Sequence, residues 1–113
     1  MAFVIGEACI DVLDRSCVDV CPVDCIYEGT RKLYINPNEC IDCRACESVC
    51  PVDAISSVDE APDDWKTFVD GESEFFYQPL PDRDEALGDP GGAYRVGVIG
   101  VDIPLVTDFV VKQ

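Results

Sequence analysis

Cys40-Ile-Asp-Cys43-Arg-Ala-Cys46-Glu-Ser-Val-Cys50-Pro51 is the stretch that decides the reading of this chain. A C-x2-C-x2-C-x3-C-P run is the spacing of bacterial iron–sulfur ligand loops, in which the fourth cysteine serves the other cluster of a two-cluster protein. Three thiolates must converge on three corners of one cubane, and two intervening residues let a tight loop turn each sulfur inward. The same loop aims backbone N–H groups at the sulfurs, which offsets part of the buried negative charge. Pro51 then ends the local turn.

Working outward, the run has a second copy upstream. Cys17-Val-Asp-Val-Cys21-Pro-Val-Asp-Cys25-Ile26 aligns with Cys46-Glu-Ser-Val-Cys50-Pro-Val-Asp-Ala54-Ile55 at an offset of 29, and Cys9 aligns with Cys40 at an offset of 31. Phe3-Val-Ile5 and Leu33-Tyr-Ile35 are short β-type runs entering the two loops, and Ile26-Tyr27 and Ile55 leave them. Each half therefore reads as strand, ligand loop, short helix, strand. Neither half could bury a core alone, so the two are expected to pack as a pseudo-twofold pair with the clusters inside. Glu28-Gly-Thr-Arg-Lys32 is the turn that joins them.

The cross-feeding rule distributes the sulfurs. Cys40, Cys43 and Cys46 with Cys21, which precedes Pro22, make a complete [4Fe–4S] set. The other site takes Cys9, Cys17 and Cys50. Where the second copy has Cys43, the first has Val12, and a valine cannot ligate iron. Three thiolates leave one cubane corner open, so a [3Fe–4S] cluster is expected there. Asp11 and Asp14 flank the gap, and a labile fourth iron held by a carboxylate or water is the alternative. Cys25, matched by Ala54, is left over and reads as a small buried hydrophobe beside the [4Fe–4S] cluster.

Composition agrees with this chemistry. Eight cysteines in 113 residues suit either disulfides in an oxidising compartment or metal thiolates in a reducing one. Met1 to Glu7 has no basic n-region or long apolar run, and nothing approaches ~20 consecutive apolar residues, so a soluble cytoplasmic protein without membrane insertion is expected. A net charge of −15, spread as −8 over residues 1–60 and −7 over 61–113, disfavours nucleic acid and anionic membranes. It suits either plain solvation or docking to a basic redox partner. Zinc knuckles do not place three sulfurs so close together. With no histidine for acid–base work and no nucleophile beside a base, catalysis is not expected.

Beyond Ile55 the cysteines stop. Pro62-Asp-Asp-Trp65-Lys-Thr-Phe68-Val69-Asp-Gly71 predicts an amphipathic helix that starts at Pro62, stops at Gly71 and lays Trp65, Phe68 and Val69 on the cluster domain. Residues 77–92 are Pro- and Gly-rich and predict a surface loop. Tyr94–Val101 and Leu105–Val111 predict a β-hairpin, and glycines 97 and 100 lack the Lys-Ser/Thr of a phosphate loop. The expected division is a two-cluster domain over 1–70 and an extension over 71–113.

Cys9-x7-Cys17-x3-Cys21-Pro-Val-Asp-Cys25, Ile26-Tyr-Glu-Gly29 and the Cys40–Pro51 run together resemble the seven-iron bacterial ferredoxins, over roughly residues 2–70. The resemblance implies an α+β, ferredoxin-like fold of two interleaved βαβ halves, and one-electron transfer between a reductase and a terminal oxidoreductase. Many members of that family carry a cysteine at the place of Val12 without using it, so valine there strengthens the three-iron expectation. The alternative is a fixed electron-transfer subunit, in a larger complex or homo-oligomer, docked through residues 77–113, which match nothing in the short members.

Overall fold

The computed structural model describes every residue except 1–2, 13–14, 42, 44, 52–53, 82–83 and 109–113, and leaves the side chain of residue 64 undescribed. Its first half runs β1 (Phe3–Ile5), a 3-10 turn at Glu7–Cys9, α1 (Ser16–Val20) and β2 (Ile26–Glu28). The second repeats the order with β3 (Leu33–Ile35), α2 (Ala45–Val49) and β4 (Ile55–Ser57). β1 pairs antiparallel with β4, Ile5 opposite Ile55, and β2 with β3, Ile26 opposite Ile35. Each two-stranded sheet thus takes one strand from each half, and α1 packs on α2. That is why neither half can close a core by itself. All three residues of β1 and of β3 are buried, which fits their unbroken apolar sequence.

The helix expected over 62–71 is displaced at both ends: Pro62 is extended and precedes the first turn, and the helix does not stop at Gly71. A 3-10 turn at Asp63–Trp65 leads into α3 (Lys66–Tyr77), with Phe68, Gly71, Glu72, Phe75 and Phe76 buried along one face. Gly71 serves a close approach, because a Cβ there would lie 2.7 Å from Ile103 Cδ1. Past it, Phe75 stacks on Tyr34 with ring centroids 3.8 Å apart, and Phe76 meets Tyr27 edge-on at 5.1 Å. These contacts outweigh the modest helix cost of one glycine, about 1 kcal/mol.

α3 also brings charge into the core. Glu72 Oε1 accepts hydrogen bonds from Ile5 N (2.9 Å) and Ile35 N (3.2 Å), linking β1 to β3, which are not laddered together. Lys32 Nζ lies 3.8 Å from the same oxygen and 4.2 Å from the centre of the Tyr34 ring, and donates to the Leu33 carbonyl at 3.1 Å. Burial pushes the Lys32 amine down and raises Glu72 to about 7, so each side chain is held by the other and by backbone groups.

The β-hairpin expected after residue 93 is replaced by α4 (Ala93–Val96) and α5 (Pro104–Thr107), with no strand among the described residues there; positions 109–111 of the expected second strand lie outside them. Left-handed glycines at 97 and 100 interrupt the apolar run, and Pro104 opens a helical turn. The described residues beyond α3 form a belt around the cluster domain. Gly92 N donates to the Tyr27 hydroxyl, Ala93 N to the Asp24 carbonyl and Ile99 N to the Glu28 carbonyl. Asp102, 4% exposed, accepts from Thr30 N (3.1 Å), Arg31 N (2.9 Å) and the Tyr34 hydroxyl (2.7 Å). Ile103 and Val106 are buried behind it.

Candidate iron–sulfur centres

The local turns after each strand carry the cysteines inward. α1 and α2, five residues each, place Cys17 and Cys46 at equivalent buried positions, and the chain leaves each helix through Cys21 or Cys50. At both exits a backbone N–H four residues on reaches back to sulfur: Cys25 N to Cys21 Sγ at 3.4 Å, and Ala54 N to Cys50 Sγ at 3.3 Å. The two contacts are related by the same offset of 29 as the sequence repeat. Such N–H donors stabilise a sulfur that carries extra negative charge.

Two pockets result. One, of about 300 Å³, is lined by Cys21, Cys40, Cys43 and Cys46, with Cys25 and apolar side chains completing its wall. The other, of about 240 Å³, is lined by Cys9, Cys17 and Cys50 with Val12, Ile5, Ala54 and Ile55. Each pocket therefore collects sulfurs from both halves. Val12 lines the second pocket where Cys43 lines the first, and the seven cysteines divide four and three between the two pockets. Among the described residues no three cysteine or carboxylate donors converge as one metal ion would require. The sulfurs instead stand around pocket walls, as a polynuclear centre needs.

Electrostatics fit that cargo. Burial, then repulsion from Cys9, Cys46 and Cys50, pushes the Cys17 thiol up to about 12, and burial and Cys40 do the same for Cys46. Sulfurs so crowded cannot all be thiolates without cationic metal between them, and soft thiolates in apolar pockets are the donors that iron–sulfur clusters select. Cys21 goes the other way, to about 6, because the Cys25 thiol and backbone N–H groups donate to it. Cys25 is raised, chiefly by its hydrogen bonds to Cys21 and Cys40 and then by burial. The pair thus divides into a sulfur ready to ligate and a neutral, 2% exposed neighbour 3.6 Å away.

Of the carboxylates flanking the three-cysteine gap, Asp14 lies outside the described residues. Asp11 is exposed and fully engaged: Arg31 donates to both its oxygens, Nε to Oδ1 at 2.8 Å and Nη2 to Oδ2 at 2.7 Å. Sequence reasoning passed over Arg31, Glu72 and Asp102. Arg31 sits in a turn that reads as solvent-facing, and the other two are single acids in an acidic chain, so only their distant partners reveal them.

A 4Fe-4S binding domain model matches residues 33–56, which include β3, the Cys40–Cys50 loop and α2. A ferredoxin of Mycobacterium tuberculosis is 54% identical over 106 residues, covering 94% of this chain and 93% of that one. A ferredoxin of Saccharopolyspora erythraea is 50% identical over 95% of this chain and 93% of its own length. A protein named ferredoxin 7Fe from Hydrogenibacillus schlegelii is 55% identical over 76 residues, 97% of its length. This chain belongs to the bacterial-type seven-iron ferredoxins. That shorter ferredoxin aligns with only 67% of the present one, whereas the two long relatives match nearly all of it. Among the described residues of this ferredoxin no helix is long and apolar enough to cross a membrane.

Proposed function

We propose that this ferredoxin is a one-electron carrier in the cytoplasm, with a [3Fe–4S] cluster on Cys9, Cys17 and Cys50 and a [4Fe–4S] cluster on Cys21, Cys40, Cys43 and Cys46. The observation that carries the reading is the unequal pair of pockets, one with four candidate ligand sulfurs and one with three and Val12 in the place of the fourth. When bound, each cluster takes up or gives back one electron. The two halves, related by a pseudo-twofold axis, present equivalent loops and N–H donors to the sulfurs. Cys25 supplies a thiol donor to Cys21, and apolar walls keep water from the sulfides. The role we infer is carriage of electrons rather than catalysis, in keeping with the ferredoxin relatives. Domain 1–70 holds both clusters, and the extension over 71–113 completes α3 and, in its described residues beyond Tyr77, forms a belt around that domain.

Its partners are a reductase and a terminal oxidoreductase with basic docking faces, complementary to a net charge of −15. Tyr94, 93% exposed, and Val98, 64% exposed, favour the second reading of a fixed subunit docked through the extension. Anaerobically isolated protein is expected to contain about seven irons per chain and to show, when oxidised, the near-isotropic paramagnetic resonance signal of a three-iron centre. It should also pass electrons to a basic acceptor protein at a rate that falls with salt. About eight irons without that signal would overturn the cluster assignment, and stoichiometric co-purification with larger subunits would favour the fixed-subunit reading.

A further inference from the structure

We propose that the groove between α1, β2 and α4 is a docking site for a soluble redox protein whose cofactor edge is apolar and ringed by cations. The inference deepens the carrier reading and rests on it. The groove encloses about 500 Å³, with Val18, Ile26, Tyr94 and Val98 among its walls and Arg15, Asp24 and Glu28 as its charged residues.

Backbone hydrogen bonds build this groove before any partner arrives. Ala93 N donates to the Asp24 carbonyl and Tyr94 N to Asp24 Oδ2, both at 2.7 Å, while Ile99 N donates to the Glu28 carbonyl at 2.8 Å. Asp24 is itself left-handed, with φ 54°, a conformation that a non-glycine residue keeps only where its surroundings fix it. A frame so held loses little freedom on binding. Tyr94, Val96 and Val98 are all exposed on it. Single exposed apolar side chains are ordinary, but three within five residues beside a groove make a patch, and tyrosine is enriched at interfaces.

The groove adjoins the four-iron pocket. Ile26 lines both, and Asp24 stands between Val23 and Cys25, which line that pocket. Val23 and Ile41 of the pocket wall are exposed as well, so the apolar surface continues past Asp24 onto the pocket's rim. Among the described residues the three-iron pocket shares no wall residue with the groove. Charge selects the occupant. Arg15 Nε and Nη2 donate to the two oxygens of Glu28 at 2.6 and 2.7 Å, so that cation is matched within the groove and Asp24 leaves it net negative. Arg95 of α4 folds back toward Gly91, its Nη1 3.8 Å from where a Cβ of that residue would lie. A second copy of this chain, at −15, would bring like charge, whereas a cationic ring brings the opposite. Permanent interfaces are larger and more apolar than this patch among carboxylates, which suits a transient complex.

The probe is a basic c-type cytochrome, with its haem edge ringed by lysines. Parent, Tyr94→Ser/Val98→Ser, Asp24→Asn and Asp63→Asn are isolated anaerobically and titrated calorimetrically with it, both proteins oxidised, at low and at raised salt. Asparagine still accepts from Tyr94 N and tolerates a left-handed backbone, so Asp24→Asn removes charge alone. Asp63→Asn removes the same charge from the turn before α3. The double variant is expected to raise Kd roughly tenfold or more. Asp24→Asn should raise it about threefold with a shallower salt dependence, and Asp63→Asn should bind as the parent. After dithionite reduction, passage of one electron from the ferredoxin to the ferric haem should slow by the same factors at subsaturating concentrations. Equal Kd for the double variant and the parent would overturn the proposal, as would failure of the parent to bind. So would equal weakening by Asp24→Asn and Asp63→Asn, which would leave only a general charge effect. A parent that self-associates until Tyr94 and Val98 are replaced would give the groove to a second copy and overturn it too. Retained cluster absorbance reports folding; if the double variant loses it, Val98→Ser carries the test, weakened binding supporting the proposal and unchanged binding overturning it. A parent that binds the cytochrome but passes it no electron would refute the carrier reading, whereas unchanged Kd with transfer intact would refute the groove alone.

Discussion

Replacing Asp102 by alanine removes the main polar tie between belt and cluster domain. Three donors lose their acceptor: Thr30 N, Arg31 N and the Tyr34 hydroxyl. A buried donor left unsatisfied costs about 1–3 kcal/mol. The two backbone groups lie in a partly exposed turn where water can reach them, so each belongs near 1 kcal/mol; the Tyr34 hydroxyl, on a fully buried side chain, belongs at the upper end. The sum is roughly 4–5 kcal/mol, a large part of the 5–15 kcal/mol available to a domain of this size. At about 4–8 °C per kcal/mol, the melting point should fall by on the order of 15–40 °C. Cluster absorbance followed anaerobically during heating at a fixed scan rate is the assay, because cluster loss makes unfolding irreversible. Tyr34→Phe alone should cost only about 1 kcal/mol, and adding it to Asp102→Ala should cause no further loss, since the orphaned hydroxyl is then gone. A melting point for Asp102→Ala within about 3 °C of the parent would refute the claim that the belt is part of the fold.

Gly29→Ala attacks the same junction sterically. Its Cβ would lie 2.3 Å from Asp102 Oδ1 and 2.8 Å from Tyr34 Cε1, so a loss of about 3 kcal/mol is expected in the same melting assay. Truncation after Tyr77 exposes Tyr27, Tyr34 and Phe76 together and should yield protein that bleaches rapidly in air, whereas a tail serving only to dock would leave the absorbance intact. Glu72 gives a pH signature: its folded pKa is raised to about 7 from 4.5, so the folded state binds more protons than the unfolded state between those values. Stability should therefore fall as pH rises through that window, and urea titrations should find the slope reduced in Glu72→Gln. Cys25→Ala should retain the parent's iron content, while Cys50→Ala should abolish the three-iron resonance signal and leave the four-iron cluster; the reverse result would redraw the ligand sets.

Sequence alone sufficed wherever the chemistry is local or repeated. Four cysteines within eleven residues must form one loop, and the offset of 29 between Cys21 and Cys50 foretold that equivalent sulfurs occupy equivalent turns. The gap at Val12 was legible because valine has no atom that can bind iron. What the sequence could not disclose depends on residues far apart in the chain. Gly71 looked like a helix stop because a glycine's role depends on what approaches it, and Ile103 lies 32 positions away. The apolar run after residue 93 resembled strand because hydrophobicity reports burial and not the backbone path; left-handed glycines and contacts with Tyr34, Glu28 and Thr30 bent it into a belt. Arg31, Glu72 and Asp102 acquire their roles only from partners brought close by folding, since an isolated charge in a sequence carries no record of what will neutralise it.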